Sequence, residues 1–242
     1  MMLLWRKAFA EVLGSALLAA TVVGSGVAAQ RLSPQALGLE LLENSLITGA
    51  VLIALILALG PVSAAFNPAV TLAERALGAI TTGTAAVFIS AQVLGCCVGA
   101  MIANLMFGLS AVNVSHQHRT GGGLWLGEVV ATFGLLVVIF GVVRAGRRSM
   151  VAFAVGGYVT AAYWFTSSTS FANPALTLGR TLSNTFAGIA PSSVPMFVLM
   201  QLVGAAFAVG AVLALYPDAR TLADDLTHLD DVAHGSRPRL GP

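Results

Sequence analysis

The 242-residue sequence predicts an all-α integral membrane fold, with six transmembrane helices plus two re-entrant half-helices in an inverted repeat. Three observations predict it. Hydrophobic residues make up 57% of the chain and charged residues only 9%, too little charge to cover a soluble surface. The tripeptide Asn-Pro-Ala occurs twice, at Asn67-Pro68-Ala69 and Asn173-Pro174-Ala175, each time between long apolar segments. Other short motifs recur in the same order in both halves of the chain.

The spans fall at 5–28, 39–59, 84–107, 124–143, 150–166 and 194–216. Most of these runs approach the ~20 apolar residues that a helix needs to cross ~30 Å of hydrocarbon. The first has Arg6-Lys7 ahead of it, and Val27-Ala28-Ala29 resembles a cleavage site. Its apolar run is too long for a leader's core and contains Glu11, so it reads as a span rather than a cleaved leader. Between spans two and three, and again between five and six, an Asn-Pro start signal opens a short helix-forming run. About 10 helical residues reach ~15 Å, half the bilayer core. Such a segment enters and returns only if other helices surround its irregular backbone. The chain thus reads as one channel-like domain over 1–216, with repeats at 5–107 and 124–216, followed by a polar, flexible tail at 217–242.

Arginine and lysine set the orientation. With the N-terminus inside, Arg6, Lys7, Arg75, Arg144, Arg147 and Arg148 are cytoplasmic, and the tail adds Arg220, Arg237 and Arg239. Only Arg31, Arg119 and Arg180 fall outside, and both termini are then cytoplasmic. Trp5, Trp125 and Trp164 sit near span ends, where indole rings favour the interface.

The repeat is explicit. Ala10-Glu11-Val12-Leu13-Gly14-Ser15 is matched by Gly127-Glu128-Val129-Val130-Ala131-Thr132, and Gln92-Val93-Leu94-Gly95 by Gln201-Leu202-Val203-Gly204, with the Asn-Pro-Ala motifs between. Three spans per half is odd, so the second copy is inverted and a site is expected at the repeat interface near the midplane. Each Asn caps its own half-helix through its side-chain oxygen, which leaves its NH₂ to donate. The positive ends of two half-helices converge there and repel cations. A water that accepts from Asn67 and Asn173 turns its hydrogens along the pore, which interrupts proton hopping. No cofactor or enzyme activity is implied, because no phosphate-binding glycine loop, Cys/His ligand set or nucleophile–base pair is visible. Cys96-Cys97 reads as a pair of small buried side chains, and His116 and His118 as solvated loop residues rather than a metal pair or pH gate.

The paired motifs, the Glu11 opening with its Glu128 partner and the glycines at span crossings resemble the aquaporins, or major intrinsic proteins, over residues 8–216. The resemblance implies a right-handed bundle with one pore per subunit, usually a homotetramer in the lipid bilayer. It implies no nucleic-acid partner. Selectivity by lining groups and half-helix dipoles is already described for pores of this type. Asn67, Pro68, Ala69, Asn173, Pro174 and Ala175 would form the pathway, while Glu11 and Glu128 would hold the loops through backbone hydrogen bonds. Gly95-x-x-x-Gly99 offers a small-residue surface for packing within the subunit or at the tetramer interface.

Departures from the family pattern bear on the solute. Most members carry Arg three residues after the second motif's Asn; this chain has Leu176. A His commonly stands two residues before the first motif, and here it is Ala65. Other filter candidates fall near Ile47, near Ala161 to Tyr163, and at Ser170. Arg180, four residues beyond Leu176, would share its helical face ~6 Å further out and could replace the missing Arg, or else stabilise the half-helix's last carbonyls. Glu74 reads as a paired or solvated group at the cytoplasmic mouth.

The segments Tyr163-Trp164-Phe165-Thr166, 167–173 and Thr185-Phe186-Ala187-Gly188-Ile189 resemble a bacterial branch associated with arsenic-resistance operons. That resemblance implies passage of small polyols and of arsenite as its neutral hydroxide. The expected function is a passive channel in a bacterial inner (plasma) membrane for water and small uncharged solutes. The alternatives are a strictly water-selective pore, a proton-coupled secondary transporter using Glu11 and Glu128, or a structural membrane protein with a closed pore.

Overall fold

Within lipid a backbone is satisfied only by helices or a closed barrel, and apolar runs of about 20 residues select helices. The computed structural model describes residues 3–216, so the 217–242 tail lies outside the described residues. In chain order the helices are α1 (Leu4–Leu32), α2 (Leu37–Leu59), α3 (Pro68–Ala76), α4 (Thr82–Met106), α5 (Gly122–Arg144), α6 (Val151–Phe165), α7 (Pro174–Gly179) and α8 (Val194–Leu215). Single 3₁₀ turns occur at Arg148–Met150, Arg180–Leu182 and Pro191–Ser193.

Five helices among the described residues are long and apolar enough to span a bilayer: α1, α2, α4, α5 and α8 with the turn before it. The predicted fifth span is α6, which has 15 residues and so reaches only ~22 Å unaided. It starts after a 3₁₀ turn and stops where Thr166 leaves helical geometry with ψ 138, because the chain must then re-enter toward Asn173. The half-helices are also shorter than the ~10 residues expected: α3 has 9 residues and α7 has 6 before it tightens into a 3₁₀ turn.

The packing repeats with the sequence. In the first half α1 lies along α4, and in the second α5 lies along α8, while α2 and α6, the matching helices of the two halves, pack on one another. Both half-helices touch α4 and α8. Close approach rests on glycine. A Cβ on Gly95 would lie 2.4 Å from the Val12 carbonyl oxygen, and one on Gly99 2.0 Å from that of Ala16. The Gly95-x-x-x-Gly99 pair is therefore spent on α1 within the subunit. Gly204 does the same in the second half, against the Val129 carbonyl at 2.5 Å.

Lys7, Glu74 and Arg148 share one end of the bundle as lining residues of a common cavity. Arg144 stacks on Tyr216, the last described residue, so the end of α5 and the end of α8 lie together. At the opposite end, the α4–α5 connection folds onto the connection between α7 and α8. Asn113 pairs with Ser183, the Ser115 N–H donates to the Thr181 carbonyl, and the Ala190 N–H donates to the Gln117 carbonyl. Asn104, wholly buried, ties the two connections: its Nδ2 donates to the Ala111 and Leu182 carbonyls and its Oδ1 accepts from Ser183 Oγ.

Candidate functional site

The two Asn-Pro-Ala segments meet inside the bundle. Asn67 and Asn173 are extended N-cap residues (φ −156 and −153), and Pro68 and Pro174 occupy the first helical position, where a missing N–H costs nothing. Asn67 Oδ1 accepts from the Ala69 N–H at 2.9 Å. Asn173 Oδ1 accepts from the Ala175 and Leu176 N–H groups, both at 3.1 Å. The side-chain NH₂ groups are not wholly free, as capping alone suggested. Asn67 Nδ2 donates to the Ala172 carbonyl at 2.7 Å, and Asn173 Nδ2 donates to the Phe66 carbonyl at 2.8 Å. Each loop therefore grips the residue before the other loop's Asn, and each Asn keeps one N–H. Phe66 and Ala172 present those carbonyls with φ of 48 and 46, left-handed values uncommon outside glycine.

That strained geometry is held by two buried carboxylates. Glu11 Oε1 accepts from the Ala65 N–H at 2.9 Å and from Ser63 Oγ, and Oε2 accepts from the Phe66 N–H and Gln92 Nε2, each at 2.8 Å. Glu128 Oε1 accepts from the Phe171 N–H at 2.9 Å, and Oε2 from the Ala172 N–H at 3.0 Å and Gln201 Nε2 at 2.6 Å. The glutamines complete matching braces, donating at 2.9 Å to Thr71 Oγ1 in α3 and to Thr177 Oγ1 in α7. All four Glu and Gln side chains are fully buried. Buried carboxylates accepting several donors hold their environment strongly in one arrangement.

Asn67 and Asn173 line a cavity of about 650 Å³ that runs from Lys7, Glu74 and Arg148 at one end to Tyr163, Ser170, Phe171 and Leu176 at the other. Ala65 lies on its wall. Its far end is a constriction of mixed character. Tyr163 OH and Thr48 Oγ1 are 3.3 Å apart, and Ser170 Oγ is buried without a partner. Leu176 adds an apolar side chain, 6% exposed.

Three filter candidates are displaced. Ile47 is 45% exposed on the outside of α2, and the adjacent Thr48 takes the lining position instead. One residue is a 100° turn of helix, and an apolar span gives no polar stripe to fix the register. Ala161 is likewise exposed on α6, and Tyr163 faces inward. Arg180 stays one helical turn beyond Leu176, its N–H donating to the Leu176 carbonyl, but its side chain turns to Phe171 and Ala187 instead of into the cavity. Its guanidinium lies 3.4 Å from the Phe171 ring centroid, and Nε donates to the Ala187 carbonyl rather than to α7. It lines neither cavity, and its Nη1 has no partner.

A second recess, of about 530 Å³, opens beyond the constriction and includes Gln30, Glu40, Gln117, His118, Arg119 and Phe186. Arg119 also stacks on Phe171, 5.0 Å from its centroid. Burial lowers its pKa from the ordinary guanidinium value, and the nearby Glu128 opposes that shift. Sequence reasoning placed Arg119 only by its charge, and missed Thr48 and Phe171. Thr48 had a signal, as a hydroxyl inside an otherwise apolar run; Arg119's position depends on loop packing that no local pattern reports. His116 and His118 are exposed, with His118 Nδ1 3.4 Å from Ser192 Oγ. No cluster of three His, Cys, Asp or Glu side chains occurs among the described residues. Cys96 is buried in α4, Cys97 is half-buried, and both are free thiols.

Comparison with known proteins gives concordant results. Residues 1–165 match the family model described as Major intrinsic protein. The chain is 46% identical to aquaglyceroporin AqpS of Rhizobium meliloti (strain 1021) over 220 residues, covering 90% of this chain and 94% of that protein. It is 30% identical to Aquaporin-5 of Ovis aries over 190 residues, 72% of this chain and 68% of that one. Among solved structures, the aquaglyceroporin from Plasmodium falciparum superposes with a TM-score of 0.70 at 20% identity, covering 92% of this chain and 99% of that chain, which speaks for the fold alone.

Proposed function

The chain belongs to the major intrinsic protein family, and on that premise we propose that it is a passive membrane channel for water and small uncharged solutes such as glycerol. The observation that carries this reading is the cavity on which both Asn67 and Asn173 stand, ending at a constriction with Leu176 where most relatives place Arg. Each Asn retains one N–H for a passing oxygen, so at the two Asn a water or polyol binds by acceptance. Tyr163, Thr48 and Ser170 offer hydroxyls on one side, and Leu176 offers an apolar surface. A polyol has the same two-sided character: hydroxyls along one edge, C–H groups along the other. Arsenite as its neutral hydroxide, close to glycerol in size and polarity, fits the same description.

The roles assigned to Glu11 and Glu128 are structural. Between them they accept seven hydrogen bonds, four of them from backbone N–H groups. Protonation would displace donors from both loops, which argues against the proton-coupled alternative. The chain is read as a channel domain over 1–216, in a bacterial inner membrane, with both termini cytoplasmic. The clustering of Lys7 and Arg148 at one mouth supports that orientation. A homotetramer, no enzyme activity and no cofactor complete the proposal.

The test is stopped-flow light scattering of protein-containing liposomes, shrunk once against sucrose and once against glycerol. Empty liposomes and Asn173→Asp are the controls. Rapid water efflux followed by glycerol re-swelling supports the reading, and arsenite uptake is the next measurement. Water flux without re-swelling would restrict the pore to water, and no flux above empty liposomes would overturn the channel.

A further inference from the structure

The inner cavity and the outer recess share no lining residue. What separates them is Phe171 with two guanidiniums against its ring, Arg180 at 3.4 Å and Arg119 at 5.0 Å from the centroid. Leu176, at the position where relatives carry a filter Arg, contributes no charge. Arg180 is buried and bonded to the Ala187 carbonyl, out of reach of either cavity. Arg119 is different. It lines the outer recess and comes from the α4–α5 connection, outside both Asn-Pro-Ala loops.

Arg119 is also held in place. Nε donates to the Gly188 carbonyl at 2.9 Å, Nη2 to the Phe186 carbonyl at 3.1 Å, and its backbone N–H to Ser193 Oγ at 3.0 Å. Gly188 is required at that carbonyl, since a Cβ there would lie 2.3 Å from the Ser183 carbonyl oxygen and 2.4 Å from Ser115 Oγ. The flanking connection is pinned at Asn113, Ser115 and Gln117. A planar guanidinium with two donors taken by carbonyls and its face on an aromatic ring is a fixed positive charge rather than a mobile surface arginine.

We infer that Arg119 supplies the positive charge of the outer constriction, in place of the Arg that Leu176 replaces, and excludes cations from a pore open to polyols. The inference rests on the channel reading above. Two carboxylates act on the same ground. Glu128 lies within electrostatic range of both arginines, but its oxygens are engaged by the Phe171 and Ala172 N–H groups and by Gln201. Glu40, 4% exposed with Oε2 unpartnered, lines the recess beside Arg119. Displacing the charge from the filter position to a loop leaves the Leu176 level free for a wider neutral solute, with the electrostatic barrier a step further out.

Guanidinium and urea, a cation and a neutral molecule of nearly the same shape, are suitable probes. Liposomes carrying the full-length protein would be assayed for glycerol and urea re-swelling, and for labelled guanidinium uptake driven by a potassium–valinomycin potential. Wild type is expected to pass glycerol and urea and to reject guanidinium. Arg119→Gln should raise the guanidinium-to-glycerol ratio about ten-fold or more, as expected for a unit charge lost ~10 Å from the path at an effective dielectric of about 20. Arg119→Lys should remain close to wild type.

Arg119→Cys gives a readout that a packing role would not move. A methanethiosulfonate reagent bearing an ammonium should restore rejection, and one bearing a sulfonate should not. Treated wild type controls for Cys96 and Cys97. Should Arg119→Gln lose glycerol flux through misfolding, the cysteine variant before and after each reagent decides the matter on one protein. Equal guanidinium ratios in wild type, Arg119→Gln and untreated Arg119→Cys, or indifference to the reagent's charge, would overturn the inference. A wild type without glycerol or water flux would instead overturn the channel reading, and this inference with it.

Discussion

Replacing Glu128 with Gln changes one oxygen to an NH₂ and leaves the shape of the side chain intact. The native carboxylate accepts from the Phe171 and Ala172 N–H groups and from Gln201 Nε2. The amide has one acceptor oxygen, able to take two bonds, where the carboxylate had two oxygens for three donors. With its oxygen at the Oε2 position it keeps the Ala172 N–H and Gln201 Nε2, but its NH₂ then faces the Phe171 N–H, donor against donor. With its oxygen at the Oε1 position it keeps Phe171, and its NH₂ faces Ala172 and Gln201, which can turn over to offer its Oε1, without a partner in the native arrangement, at the loss of its bond to Thr177 Oγ1. Either way one backbone N–H stays stranded, a buried loss of ~1–3 kcal/mol, and the remaining bonds lose their charge assistance. The expected destabilisation is about 2–4 kcal/mol, a large share of the ~5–15 kcal/mol that holds a folded protein together. Thermal unfolding in detergent should show it, and glycerol flux should fall as the loop before Asn173 loosens. A proton-coupled transporter would respond differently: Glu128→Gln would fold normally and lose only the gradient-driven component of uptake. A variant with native thermal stability and native flux would refute the scaffold argument.

Leu176→Arg should restore a narrow, charged constriction, cutting glycerol permeability about ten-fold or more in the re-swelling assay while water efflux persists. Tyr163→Phe removes a hydroxyl held 3.3 Å from Thr48 Oγ1; stability should change by less than ~1.5 kcal/mol, with glycerol flux reduced more than water flux. Gly99→Ala places a methyl 2.0 Å from the Ala16 carbonyl oxygen, so α1 and α4 must separate, and recovery of monodisperse protein on gel filtration should collapse. Gly210→Ala meets nothing within 4 Å and should behave as wild type.

The sequence by itself determined the membrane class, the eight helical segments and the pairing of the two Asn-Pro-Ala motifs. These follow from local chemistry: apolar length, the capping geometry of Asn before Pro, and matched Glu and Gln positions in each half. The braces at Glu11–Gln92–Thr71 and Glu128–Gln201–Thr177 were legible as repeated residues, though not as bonded partners. Registers were harder. In a helix apolar all round, nothing in the pattern separates the face toward lipid from the face toward the cavity, so Ile47 stood where Thr48 belongs. Arg180 kept its place one helical turn beyond Leu176, but its side chain packs on Phe171 and Ala187, partners that no local pattern reports. Arg119 could be located only once the α4–α5 connection was seen to lie on the one before α8. The sequence encodes which groups are present and which helices they start, while the walls of the constriction come from residues far apart in the chain, and only their packing decides which side chains meet at Phe171.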